Sequence, residues 1–135
     1  MGKYTIDVHP KGENMHWLTQ LAQVIVGLGL LNVWLIRFNK STEYRGGTAA
    51  NMRDEFAVYG LPTWFCYLVG TLKVVSGVLL LIGLVVPEVV PYVASVVSVL
   101  MVGALAMHVK VKDPIKKSIP AACVLALCIL MIVLN

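Results

Sequence analysis

Acidic residues are scarce in this chain of 135 residues: it has seven, and none lies inside any of its four long apolar runs. Di-iron chemistry within those runs is thereby left without ligands. Histidine is as sparse, and no second His stands three or four residues from His108, so haem finds no ligand set there either. The three cysteines, Cys66, Cys123 and Cys128, form no C-x-x-C pair. Cys123 and Cys128 are five apart and off a common helical face, which disfavours a dithiol oxidoreductase and predicts buried apolar thiols. Nucleophile elbow, phosphate loop and zinc motif are missing too. Charged residues make up only 13% of the chain.

What is present is apolar. Hydrophobic residues are 59% of the sequence, gathered in the blocks Trp17–Phe38, Leu61–Val86, Val89–Val109 and about Ile119–Leu134. A membrane-crossing helix needs about 20 residues, so the expected spans are 17–38, 61–86, 89–109 and 114–134. They use most of the length and leave no room for a soluble catalytic domain. The expectation is an all-α, integral-membrane four-helix bundle forming one domain over residues 1–135, with a polar segment, residues 1–15, extended or loosely ordered at its start. That polar lead and the lack of an A-x-A site argue that the first span is not a cleaved signal peptide.

The net charge of +4 comes from clusters beside the spans, a topological pattern that argues against nucleic acid as a partner. Loop one carries Arg37, Lys40, Arg45 and Arg53, and loop three carries Lys110, Lys112, Lys116 and Lys117, against only Lys3 and Lys11 on the other side. The positive-inside rule then puts both loops in the cytoplasm and both termini outside, in the cell inner membrane if the source is bacterial.

Loop one is the longest connection. Thr48 is a candidate cap for a short amphipathic helix over Ala49–Tyr59, ended by Gly60 and Pro62. Met52, Phe56 and Tyr59 recur along it at helical spacing, opposite Arg53, Asp54 and Glu55. This face is expected at the membrane interface or against a partner. The helix is either a spacer or a lid with Asp54 or Glu55 dipping inward. Trp17, with His16 beside it, together with Trp34 and Trp64, is expected in the interfacial belts. Val86-Pro87-Glu88 forces the second and third helices antiparallel. Asp113-Pro114 is a helix-start signal, a capping carboxylate followed by proline, and Pro120 should kink or restart the last helix.

Lys73 is the most expensive residue. It should lie ~15–18 Å from either end of its span, where an unpaired lysine costs roughly 2.5–3.5 kcal/mol. Gly70 and Gly77 share its face and allow close approach of another backbone. Helical spacing suggests a polar seam of Gln23, Asn32, Lys73, Ser98 and His108. Lys73 would then be neutral and bonded to an amide, paired with an outside group (an anionic head group, a quinone oxygen or a partner's carboxylate), or snorkelling in a wet cavity. His108 suits an interfacial or capping role, with no carboxylate on its own face.

Three stretches carry a resemblance. Val69-Gly70-Thr71-Leu72-Lys73-Val74-Val75-Ser76-Gly77, followed by Leu79-Leu80-Leu81-Ile82-Gly83 and a proline turn, resembles the second helix of DoxX-like membrane proteins. The run from Met101 through His108 to Asp113-Pro114 is similar to the end of their third helix. Phe56-Ala57-Val58-Tyr59-Gly60-Leu61-Pro62 resembles the approach to helix two. The pattern is also similar to the nicotinic-receptor assembly chaperone group. Many relatives have Glu where this chain has Lys73. The resemblance implies the four-helix fold and a range of roles, among them the small subunit of a thiosulfate:quinone oxidoreductase. The function expected is a non-catalytic accessory or assembly partner of a membrane complex, with a membrane-protein partner or a homo-oligomer in the lipid bilayer. The alternatives are a quinone- or lipid-binding protein and a small oligomeric transporter. No cofactor is expected unless a quinone binds.

Overall fold

Each apolar block becomes one long helix in the computed structural model of the protein, which describes residues 10–134. Helix α1 (Pro10–Leu31) runs into a π-turn, Asn32–Ile36. A short α2 (Met52–Val58) follows, then α3 (Thr63–Ile82), α4 (Val90–Lys110) and α5 (Ile119–Leu134). Four stretches are long and apolar enough to cross a membrane: His16–Ile36, Thr63–Ile82, Pro87–Lys110 and Ile115–Leu134. The chain is a multi-pass membrane protein, and the all-α bundle expected from its hydropathy is the fold.

The first helix starts earlier than its apolar block. Pro10 occupies its first position, where the missing N–H costs nothing. Residues 10–15 are therefore helical rather than extended, and Met1–His9 lie outside the described residues. Pro120 likewise falls in the first turn of α5, after a 3-10 turn over Ile115–Ser118, and so restarts the helix as expected.

The long helices form a ring. α1 packs on α3 and α5, and α4 packs on the same two. Antiparallel neighbours put the α1–α3 and α4–α5 connections at one end of the bundle. Where α1 crosses α3, a Cβ on Gly77 would come within 3.0 Å of the Gly27 carbonyl, and one on Gly27 equally close to that of Gly77. Only glycine permits that backbone contact. Near the far end, buried Gln23 donates from Nε2 to the Leu80 carbonyl at 3.0 Å.

Two buried clusters fill the ring. The larger joins Val26, Leu80, Val90, Val97 and Met131. The smaller, nearer the loops, joins Trp34, Met52, Phe56, Cys66 and Val69. The π-turn feeds this second cluster. Its closing bond runs from the Arg37 N–H to the Asn32 carbonyl at 2.9 Å, and Trp34 within it is only 6% exposed. The Trp34 ring lies where a Cβ on Gly70 would be, at 2.7 Å. Trp34 is therefore a core residue, not a belt residue, whereas Trp17 and Trp64 do lie exposed on the flank.

Helix α2 also departs from expectation. It begins at Met52, and its cap is Asn51, which accepts from the Asp54 N–H at 2.8 Å; Thr48 is not the cap. The backbone before it is drawn into a turn, with Ala49 N–H on the Gly46 carbonyl. Gly60 ends the helix with φ +82, as expected of glycine there. Met52, Phe56 and Tyr59 are all buried in the bundle. They are not available to a partner or to the membrane interface, because the Trp34 cluster takes up Met52 and Phe56, and Tyr59 packs between Phe56 and His108.

Candidate functional site

The two basic loops meet at one end of the bundle and are clasped together by buried charges. Arg45 stands at the centre. Its Nη1 donates to Glu55 Oε1 at 3.0 Å, its Nε to the Lys40 carbonyl at 2.9 Å, and its Nη2 to the Arg37 carbonyl at 2.5 Å. The other Glu55 oxygen accepts from the Gly46 N–H at 3.0 Å and from the Tyr59 hydroxyl at 2.6 Å. Of the two acids expected to dip inward, Glu55 does so, while Asp54 stays exposed. A Cβ on Gly46 would strike the Tyr59 ring at 2.5 Å, so glycine is required for the ring to reach Glu55. Burial first, and then the hydrogen bond to the Glu55 carboxylate, raise the Tyr59 pKa and keep the phenol protonated.

Loop three supplies the other half. The Tyr59 ring stands edge-on to His108, with centroids 6.0 Å apart. His108 Nδ1 is 2.7 Å from Asp113 Oδ2, and Asp113 Oδ1 accepts from the Gly47 N–H at 3.0 Å. Lys117 donates to the Gly47 carbonyl at 2.6 Å and lies 3.9 Å from Asp113; Lys110 donates to the Tyr59 carbonyl at 2.7 Å. Burial works to raise the Asp113 pKa, but the hydrogen bonds from His108 and Gly47 and the Lys117 charge outweigh it. The carboxyl is held below its ordinary range.

Local backbone geometry explains how Asp113 reaches His108. Helix α4 ends with Lys112 at φ 58, in the left-handed region. The Lys112 N–H bonds to the Val109 carbonyl and the Asp113 N–H to the His108 carbonyl, both at 3.0 Å. This is the Schellman pattern, and it folds Asp113 back over the last turn. Asp113 therefore does not cap the following helix: Pro114 holds the capping position without a side-chain bond. His108 has a carboxylate partner after all, placed by the turn and not by the helix face.

The other expected site residues do not converge on Lys73. Gln23 bonds the Leu80 carbonyl, seven residues further along α3 than Lys73 and about 10 Å away along the axis. Asn32 lies exposed on the flank. The Ser98 hydroxyl donates to the Ala94 carbonyl of its own helix at 2.8 Å, and His108 belongs to the clasp. The polar seam is thus not assembled, and no amide bonds Lys73. Lys73 is half-buried, with Nζ 5.2 Å from the centroid of the Trp34 ring. Among the described residues it makes no hydrogen bond and no ion pair.

Beside it an open groove of about 400 Å³ runs between the π-turn that follows α1 and helix α3, on the α1–α3 flank. Trp34 and Phe38 form one wall, and Tyr67, Gly70, Thr71, Val74 and Val75 of α3 form the other. Phe38 and Tyr67 stack at 6.0 Å with their planes 13° apart. At that end Arg53 reaches over from α2, its guanidinium carbon 6.0 Å from the Phe38 ring centroid and its Nη1 3.4 Å from the Tyr67 hydroxyl. Two of the three cysteines, Cys66 and Cys128, are buried free thiols, while Cys123 is exposed and departs from the expectation.

Sequence reasoning passed over Arg45, the Tyr59 hydroxyl, Phe38 and Tyr67. The available signals were the Arg45-Gly46-Gly47 tripeptide and the Asp-Pro pair five residues after His108. A model of the DoxX-like family matches residues 44–131, a range that holds the Arg45–Asp113 clasp and leaves α1 outside. No curated protein and no solved structure matches the chain.

Proposed function

The chain belongs to the DoxX-like family, and on that premise we propose that it serves as a non-catalytic accessory or assembly module of a membrane complex, engaged through its α1–α3 flank. The observation that carries this reading is Lys73. A cation within a membrane span needs a compensating group, and the described part of this chain gives it only the face of Trp34. On this reading a partner supplies its counter-charge. The clasp is the rigid end of the module, because its buried groups are already matched to one another.

Migration in mild detergent tests the proposal. The native protein should run as part of a larger complex, and Lys73→Met should release it without lowering its melting temperature. If the Lys73→Met chain stays in the same complex, the accessory reading through this flank is wrong. A second reading, a small lipid-like or quinone ligand, draws on the aromatic groove beside Trp34, whose volume lies within the about 300–1,000 Å³ usual for ligand sites. For orientation, we assign both loops to the cytoplasm and both termini outside, from the excess of basic residues in the loops. A reporter fused after Asn135 that is active only in the cytoplasm would overturn that assignment.

A further inference from the structure

We infer that the α1–α3 groove binds a single-chain anionic amphiphile, a lipid-class molecule with one phosphate or carboxylate head, seated head-outward at Arg53 with its chain lying over Trp34. This deepens the second reading above and rests on the same flank. The groove follows α3 from Tyr67 to Val75, eight residues or about 12 Å. Its two ends differ in chemistry. The loop end offers the Arg53 guanidinium and the Tyr67 hydroxyl over stacked aromatic rings. The inner end is Gly70, Val74 and Val75 against the Trp34 ring, an apolar channel for a chain.

The polar groups at this site favour an anion. Arg53 makes no ion pair among the described residues: its neighbour Glu55 is held by Arg45, and Asp54 is held by Asn51. Lys73 adds a second cation over the Trp34 ring. No carboxylate lines the groove. A neutral quinone would leave the Arg53 guanidinium uncompensated, and the Thr71 hydroxyl that it might seek already donates to the Tyr67 carbonyl at 2.9 Å. A zwitterionic head would bring its own cation close to Arg53. One anion on a guanidinium gives the stronger, charge-assisted bond.

The experiment uses the full chain in neutral detergent, with Trp17→Phe and Trp64→Phe so that Trp34 alone reports. Amphiphiles with brominated acyl chains are titrated: a fatty acid, a lysophosphatidate and a lysophosphatidylcholine, with a short-tailed quinone alongside. The anionic probes should quench Trp34 at concentrations about ten-fold lower than the zwitterionic one. Arg53→Gln should erase that preference, and Arg53→Lys should retain most of it. Comparison of the fatty acid with the lysophosphatidate tells which head is preferred. Val75→Phe, a bulkier residue on the exposed flank that leaves Trp34 the sole tryptophan, should weaken quenching by every probe. Equal quenching by charged and zwitterionic probes, tighter quinone binding, or an unchanged preference in Arg53→Gln would each overturn the inference. Because binding is read on the isolated chain, it stands or falls separately from the accessory role, which is read in native membranes.

Discussion

The loop end of the bundle and its α1–α3 flank handle positive charge in opposite ways. At the loop end, Arg45 is 5% exposed, yet it has a carboxylate, two close backbone carbonyls and a sulfur around it. On the flank, Lys73 and Arg53 have aromatic faces and a phenol but no acid. Buried ion pairs hold a structure together when every partner is supplied, and they become costly when one is lost. The first region is therefore architecture. The second has no such acid in contact among the described residues.

Breaking the clasp should have the largest effect. Glu55→Leu strands the Arg45 charge and removes the acceptor of the Tyr59 hydroxyl and the Gly46 N–H, at a cost of about 3–5 kcal/mol. Thermal unfolding in detergent measures it, and a loss below about 1 kcal/mol would demote the clasp to an ordinary surface pair. The same measurement on the flank should change sign. Lys73→Met removes an insertion cost of roughly 2.5–3.5 kcal/mol and forfeits a cation–π contact worth about 0.5–2 kcal/mol. A modest rise in melting temperature is expected; a fall would mean that Lys73 is paired within the bundle. Next is Lys112→Gly. It relieves a left-handed backbone at the turn that aims Asp113 and should stabilise by about 1 kcal/mol.

The smallest effect is one of pH. The Asp113 carboxyl is held below its ordinary range in the folded chain, so the unfolded chain takes up the proton first as pH falls. Its stabilisation is complete above the ordinary Asp value of about 3.9 and is lost as pH drops through the lower, folded value. Melting curves of the native chain should fall off in that window more steeply than those of Asp113→Asn. Parallel curves would mean that the His108 and Gly47 contacts to this carboxylate contribute little.

Features set by local composition were legible beforehand. Hydropathy located four spans, Gly60 ended α2, and Gly77 lets α1 approach α3. What was hidden depends on the backbone leaving its regular path. Asp113 is off the helical face of His108, and only the reversal at Lys112 brings the two together. Trp34 belongs to the boundary by sequence position, but the π-turn and the bare backbone of Gly70 draw it inside. Gln23 found a backbone carbonyl as its partner, and a comparison of side-chain stripes contains no such acceptor. Thr48 and Asn51 are both good capping residues; the Gly46-Gly47 turn, occupied by Glu55 and Asp113, decided between them.

Gly46 and Gly47 donate from consecutive backbone amides to two acids separated by 58 positions, Glu55 and Asp113. During synthesis the first acid emerges within a few residues of its glycine, whereas the second emerges only after α3 and α4 have been made. A ribosome-bound chain that has just released α3 thus carries half of its fastening, with the Gly47 amide still waiting. Emergence of the last loop then completes the fastening, while the ring itself closes only when α5 follows and packs on α1 and α4.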